Sequence, residues 1–326
     1  RDMYTTTSVG VTVSTTECSS GDLLREADTA LYSAKAGGRD QVAVFNATLR
    51  AVVSERLQIE AELRHALERR ELVMWYQPLV DLATGDIVAV EALMRWHHPS
   101  GEVFTADRFI DVAEDCGFIG EMGDWAMRTA CEQVARWNAE PGARPMAVGV
   151  NMSVRQLSDP YLVPKVEAAL HSSGLDPRSL CIEITETTLL VQTAESRDNL
   201  RRLSAASIQI AIDDFGTGYA SLAYLRDVRV DTVKIDRSFV TDMMTNEYDR
   251  RLIGGIIALA ECLGVAVVAE GVETVDQAEA LRTLGCTTAQ GYLWSAALPA
   301  DGFARRHRGR PAPALAAVCS AGRGLA

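Results

Sequence analysis

The sequence has no Cys-x-x-Cys pair, no basic surplus and no long apolar run, and each absence removes a class of function. The seven cysteines, Cys18, Cys116, Cys131, Cys181, Cys262, Cys286 and Cys319, are scattered and odd in number. That spacing supports neither a disulfide scaffold nor a zinc ribbon, and it fits a reducing, cytoplasmic compartment. With 44 acidic against 32 basic residues the formal charge is −12, so the basic stripe of a nucleic-acid-binding surface is missing. No apolar stretch approaches the ~20 residues of a membrane-spanning helix, and no signal-peptide pattern opens the chain. The start on Arg1, in mid-pattern, reads as a piece of a longer protein, which leaves an upstream membrane anchor open. An acidic chain that handles an anionic substrate must recruit cations locally.

What is present is a composition of the soluble globular kind, 48% apolar and 23% charged, in 326 residues that can form one large domain or two ordinary ones. Residues 1–50 hold a β-like alternation, TSVGVTVS (7–14). A helical stretch with a Gly37-Gly38 stop follows it. Residues 51–70 are rich in helix formers and predict one continuous connecting helix. From Glu71 to about residue 305, short apolar strands alternate with helical stretches. The strand candidates are 72–80, 87–96, 146–153, 179–186, 208–214, 231–236, 266–273 and 287–293. This rhythm predicts an α/β fold, a (β/α)8 TIM-like barrel. The competing doubly wound sheet lacks its Gly-x-Gly-x-x-Gly after the first strand. Only DLATGD (81–86) separates the first two strands, too short for a helical crossover, so the first strand should be antiparallel. The tail 306–326 is basic, then rich in Ala, Pro and Gly, and is expected to be disordered.

A barrel places its functional residues at the C-terminal ends of its strands. Polar groups interrupt the apolar runs there. They are Glu91 late in the second strand, Asn151, Glu183 and Glu186, Asp213 and Asp214, Lys234 and Asp236, Glu270 and Glu273, and Gln290. A single such acid is most often a helix cap or a surface charge. Recurrence on successive strand ends weakens that account, because independent caps need not converge on one mouth. Carboxylates gathered there would repel each other unless neutralised. Hard oxygen donors without His or Cys suit Mg²⁺ or Mn²⁺. The Asp213-Asp214 pair, in which one aspartate can bridge, suits a two-metal phosphodiesterase site. Lys234 could hold water or stabilise phosphorane charge, or only bridge within the ring. Glu270 suits a general base or a further ligand.

Seven motifs in order carry a family resemblance: EALMRW (91–96), VNMS (150–153), IEITET (182–187), DDFGTGYASL (213–222), VKIDRSF (233–239), AEGVET (269–274) and QGYLW (290–294). Over about residues 57–305 the chain resembles the EAL domain, the cyclic di-GMP-specific phosphodiesterase. The resemblance implies a barrel with an antiparallel first strand and two Mg²⁺ or Mn²⁺ ions held by Glu91, Asn151, Glu183, Asp213, Asp214 and Glu270. It implies that Lys234 orients the attacking water and that Glu270 and Glu91 share the catalysis. Glu186 would anchor the loop 214–222. Gln77, Leu93, Arg95, Asp236, Glu273 and Gln290 would meet the substrate. The family's members often form homodimers. Ala106, Thr287 and Ala297 depart from its usual pattern, none of them at a proposed ligand. Residues 1–50 resemble the C-terminal part of a GGDEF domain without its signature loop, so this segment is not expected to cyclise GTP. The competing reading is a degenerate, catalytically inactive domain that senses cyclic di-GMP.

Overall fold

The computed structural model describes residues 6–14, 19–36, 40–190, 193–217 and 229–307. The Gly37-Gly38 stop, residues 218–222 of the expected loop and residues 308–326 of the tail lie outside the described residues. The chain divides into two units, residues 1–69 with 109–116 and residues 70–108 with 117–326.

In the first unit, β1 (Val9–Val11) and β2 (Val42–Val44) pair in parallel, with α1 (Ser20–Ala36) as the crossover that parallel pairing demands. A Cβ on Gly10 would lie 2.2 Å from the Ala27 carbonyl oxygen, so α1 reaches the ribbon only over a glycine. Asn46 caps α2 (Ala47–Leu63) by accepting from Leu49 N at 2.7 Å, and α3 (Ile110–Cys116) completes the unit. The helix expected over residues 51–70 ends early, at Leu63. The amides of His65 and Ala66 bond three residues back, to Glu62 and Leu63, and Arg70 takes a left-handed φ of 56° as the chain turns to leave the helix.

The second unit is an eight-stranded closed barrel. Its strands are β3 (Leu72–Asp81), β4 (Ile87–His97), β6 (Ala147–Asn151), β7 (Leu180–Thr185), β8 (Gln209–Phe215), β9 (Thr232–Ile235), β10 (Ala266–Ala269) and β11 (Thr288–Ala289), and β3 pairs with both β4 and β11. The short strands β5 (Val103–Thr105) and β12 (Leu298–Pro299) attach to β4 and β3. Strand β3 is antiparallel to both barrel neighbours and the remaining pairs around the barrel are parallel. The reversal is made by residues 81–86. The Asp81 carboxylate accepts from the amides of Ala83 and Thr84 at 2.9 and 2.7 Å, and Gly85 takes φ 74°.

Helices α4 (Ile119–Asn138), α5 (Val154–Leu157), α6 (Leu162–Ser173), α7 (Glu186–Leu190), α8 (Ala194–Ala205), α9 (Arg237–Asp242), α10 (Glu247–Leu263), α11 (Val275–Thr283) and α12 (Ala300–His307) follow in chain order. Gly174 and Gly264 end α6 and α10 in left-handed backbone, and Thr274 with Gln277 forms a capping box on α11. Ile182, Ile184, Ile210 and Ile212 are fully buried on the helix-facing side of their strands, which leaves the alternate positions to face the barrel interior. Strands β6, β7, β9, β10 and β11 are shorter than expected at their ends, β10 and β11 most of all, whereas β3 and β8 run one residue further. The backbone just beyond β10 and β11 still bonds its neighbours, Glu270 N to the Ile235 carbonyl at 3.0 Å and Gln290 N to the Ala269 carbonyl at 2.8 Å. β4 runs one residue further, to His97, to pair with β5, and Glu91, its fifth residue, sits in mid-strand rather than late. α12 includes residues 306 and 307, the first two of the expected disordered tail.

Candidate active site

Period-two alternation brings acids from several strands to one interior layer. Glu91 on β4 is level with Gly149, Asn151 with Glu183, and Thr185 with Asp213. Gly149 makes room for the layer, since a Cβ there would lie 1.9 Å from Glu183 Oε1. Lys234, 1% exposed, rises from β9 into the middle of the acids. Its Nζ is 2.7 Å from Glu183, 2.7 Å from Glu270, 3.1 Å from Asp213 and 3.5 Å from Glu91.

One ammonium cannot balance four carboxylates, and the titration of the groups reflects this. Burial alone would neutralise Lys234, but the surrounding acids outweigh it and hold the ammonium charged. Burial, with Glu91 and Asp213 nearby, pushes Glu183 well up. Burial chiefly, then Asp213 and Glu91, raises Glu270 to about 8 against the opposing pull of Lys234. Burial also acts on Glu91, yet Lys234 and the amides of Gln290 and Asn151 hold it below the ordinary carboxylate range.

Glu91 is the best-gripped ligand candidate. Asn151 Nδ2 donates to its Oε1 at 2.8 Å, and Gln290 Nε2 donates to its Oε2 at 2.7 Å. Gln290 also donates to Gln77 Oε1 at 3.0 Å, and Gln77 donates to the Ser295 carbonyl at 3.1 Å. Residues expected to touch substrate therefore also form a brace behind Glu91. Glu186, buried beneath the next turn, accepts from Gly216 N at 2.9 Å and ties down the start of the expected loop. Asp214 takes a left-handed φ of 55°. Its carboxyl is raised by partial desolvation and by the neighbouring Asp213 and Asp236.

The remaining expected residues divide. Asp236 caps α9 by accepting from Ser238 N at 3.0 Å and lies beside Asp214. Leu93 and Arg95 continue the inward face of β4 beyond Glu91, opposite Trp75 and Val73, and the Arg95 guanidinium lies 5.7 Å from the Trp75 ring centre. Trp75 was not expected at the site. Its signal was present, two residues before Gln77 on one strand face. Glu273 is exposed and joins neither carboxylate group.

Two triads, Glu91–Glu183–Asp213 and Asp213–Asp214–Glu270, each present oxygens within 4.8 Å of one another and share Asp213. Such clustered oxygen donors, with one carboxylate common to both, fit a pair of hard divalent cations.

The sequence profile of the EAL domain matches residues 60–297. The chain is 40% identical over 280 residues to the bifunctional diguanylate cyclase/cyclic di-GMP phosphodiesterase MucR of Pseudomonas aeruginosa, an alignment covering 86% of this chain and 41% of that protein. It is 39% identical over 321 residues to the cyclic di-GMP phosphodiesterase NbdA of the same organism, covering 97% and 41%. The chain thus spans less than half the length of these relatives. Among solved structures it superposes on the PaMucR phosphodiesterase–c-di-GMP complex with a TM-score of 0.71 at 40% identity, covering 75% of this chain and 98% of that one. The EAL enzyme Bd1971, in a form bound to cAMP and cyclic di-GMP, gives 0.73 at 29% identity, covering 77% and 68%.

Proposed function

The chain belongs to the EAL domain family, and on that premise we propose that it hydrolyses cyclic di-GMP to linear pGpG with two divalent cations, Mg²⁺ or Mn²⁺. The observation that carries this reading is the pair of carboxylate triads sharing Asp213. Glu91, Glu183 and Asp213, with Asn151, would hold one cation, and Asp213, Asp214 and Glu270 would hold the other. Bound divalent ions supply charge neutralisation at the phosphoryl oxygens and a water acidic enough to attack near neutral pH. In the metal-free chain the surrounding acids hold Lys234 as an ammonium, a hydrogen-bond donor that would orient the water rather than deprotonate it. In the metal-free chain burial raises Glu270 to about 8; with a divalent ion bound it would give up that proton and serve as ligand or base. Arg95 meets a phosphate, while Gln77, Leu93, Asp236, Glu273 and Gln290 line the substrate's path. Glu186, through Gly216, steadies the loop that begins at Asp214.

The same reading takes residues 1–50 as the C-terminal part of a GGDEF domain, 51–70 as the connector, 71–305 as the phosphodiesterase and 306–326 as a tail. It takes the assembly as a cytoplasmic homodimer through the EAL domain. Among the described residues no helix is long and apolar enough to cross a membrane.

The test is incubation of the chain with cyclic di-GMP and Mg²⁺, with products resolved by chromatography. We expect pGpG, its loss with a chelator, and much slower turnover with Ca²⁺, which is larger and less strict in geometry. Binding without product would make the protein a sensor and overturn the enzymatic reading.

A further inference from the structure

Away from the carboxylate ring, a cavity of about 310 Å³ opens between α4 and α6 on the outer layer of the barrel. That volume lies at the lower end of the range for small-molecule sites, ~300–1,000 Å³. Met127, Met152, Leu162, Val166 and Ala169 make its apolar lining. The two methionines are soft and adaptable, which suits a guest of variable shape.

The rim carries two cations in different electrostatic states. Lys165 is 2.8 Å from Asp124 and 2.8 Å from Asp159, so its charge is spent within the protein. Arg128 also borders the cavity, and among the described residues it has no ion-pair partner. An apolar chamber with one uncompensated guanidinium at its edge complements a small apolar anion, whose tail enters the chamber and whose carboxylate meets Arg128. A neutral apolar guest would leave that charge unmatched, and a dianion would bring a second negative charge with no cation to meet it, since Lys165 is engaged by Asp124 and Asp159.

The location gives occupancy a route to the chemistry. Met152 directly follows Asn151, and its amide donates to the Glu183 carbonyl at 2.8 Å. Gln156, also on the wall, closes the capping box with Ser153 that starts α5. A guest against Met152 and Gln156 thus presses on the turn that carries Asn151.

We propose that the α4–α6 cavity is a binding site for a small apolar monocarboxylate, separate from the cyclic dinucleotide site. The test uses the whole chain and decanoate as probe, read by isothermal calorimetry, so it stands or falls independently of turnover. Saturable binding of one decanoate per chain is expected. Ala168 is exposed at the cavity edge. Ala168→Trp should fill the chamber and abolish binding, with an unchanged thermal melt as the control for folding. Arg128→Gln should weaken decanoate by about two- to fivefold, the scale of an exposed ion pair, and leave decanol unchanged. Absence of saturable binding, or binding indifferent to both substitutions, would overturn the proposal.

Discussion

Glu91 and Glu183, at the inner side of the carboxylate ring, are 6% and 3% exposed and are held by Asn151, Gln290 and Lys234. Asp214, on the outer side, is exposed and sits in left-handed backbone. Glu270 there has Lys234 at 2.7 Å. The same residue type is thus used in two ways. The inner triad is built into the barrel floor by side-chain bonds, whereas the outer triad hangs on a strand end and a turn. The inner site is the preorganised one, and its ligands carry structural as well as chemical weight.

The largest expected effect comes from breaking the inner triad. Glu91→Ala should lower turnover by roughly 10³-fold or more, the several kcal/mol that metal-assisted charge stabilisation supplies. Steady-state assays with Mg²⁺ would read it, and near wild-type activity would remove Glu91 from the ligand set. Next is Lys234→Ala. Removing its ammonium from among buried acids should destabilise the metal-free fold by about 3–5 kcal/mol in urea unfolding. Gln290→Ala acts one step further out, on the brace behind Glu91. It should lower metal affinity or rate about 10- to 100-fold with little loss of stability.

The pH response separates the halves more finely. Glu270 is raised from 4.5 to about 8 in the fold. Below about 4.5 both folded and unfolded chains hold its proton and nothing is lost. As pH rises toward about 8 the unfolded chain releases that proton first, so metal-free stability declines across the window and then levels. Divalent binding expels the proton and should tighten over the same range. Melts from pH 4 to 9, with and without Mg²⁺, would check this, and Glu270→Gln should reduce the metal-free slope, the remainder coming from Glu183 and Asp214, which are also raised. The smallest effect on stability lies on the outer turn. Asp214→Gly relieves left-handed backbone and should stabilise the metal-free chain by up to about 1 kcal/mol while turnover falls. A loss of stability would show that the Asp214 side chain helps hold the fold.

Much of this arrangement was legible in the sequence, unevenly. The antiparallel β3 followed from six residues between two apolar runs, because a helix cannot fit there. The ring followed from acids that interrupt strands at their ends. The brace formed by Gln77, Gln290 and Ser295 was not legible, because 218 positions separate Gln77 from the carbonyl that it bonds. Lys234 read as one polar residue on one strand, and its four partners come from three other strands and the residue just past a fourth. Gly149 carried no signal at all, since its importance lies in the space that Glu183 fills. The early end of α2 at Leu63 was likewise hidden, because local propensity favours helix through residue 70 and the turn into β3 overrides it.

The contrast between the halves is tested most directly by titrating Mn²⁺ into the metal-free chain and counting the ions bound. The account predicts two per chain, with one event lost in Glu91→Ala and the other lost in Asp214→Ala. Two ions bound by both variants with unchanged affinity would contradict it.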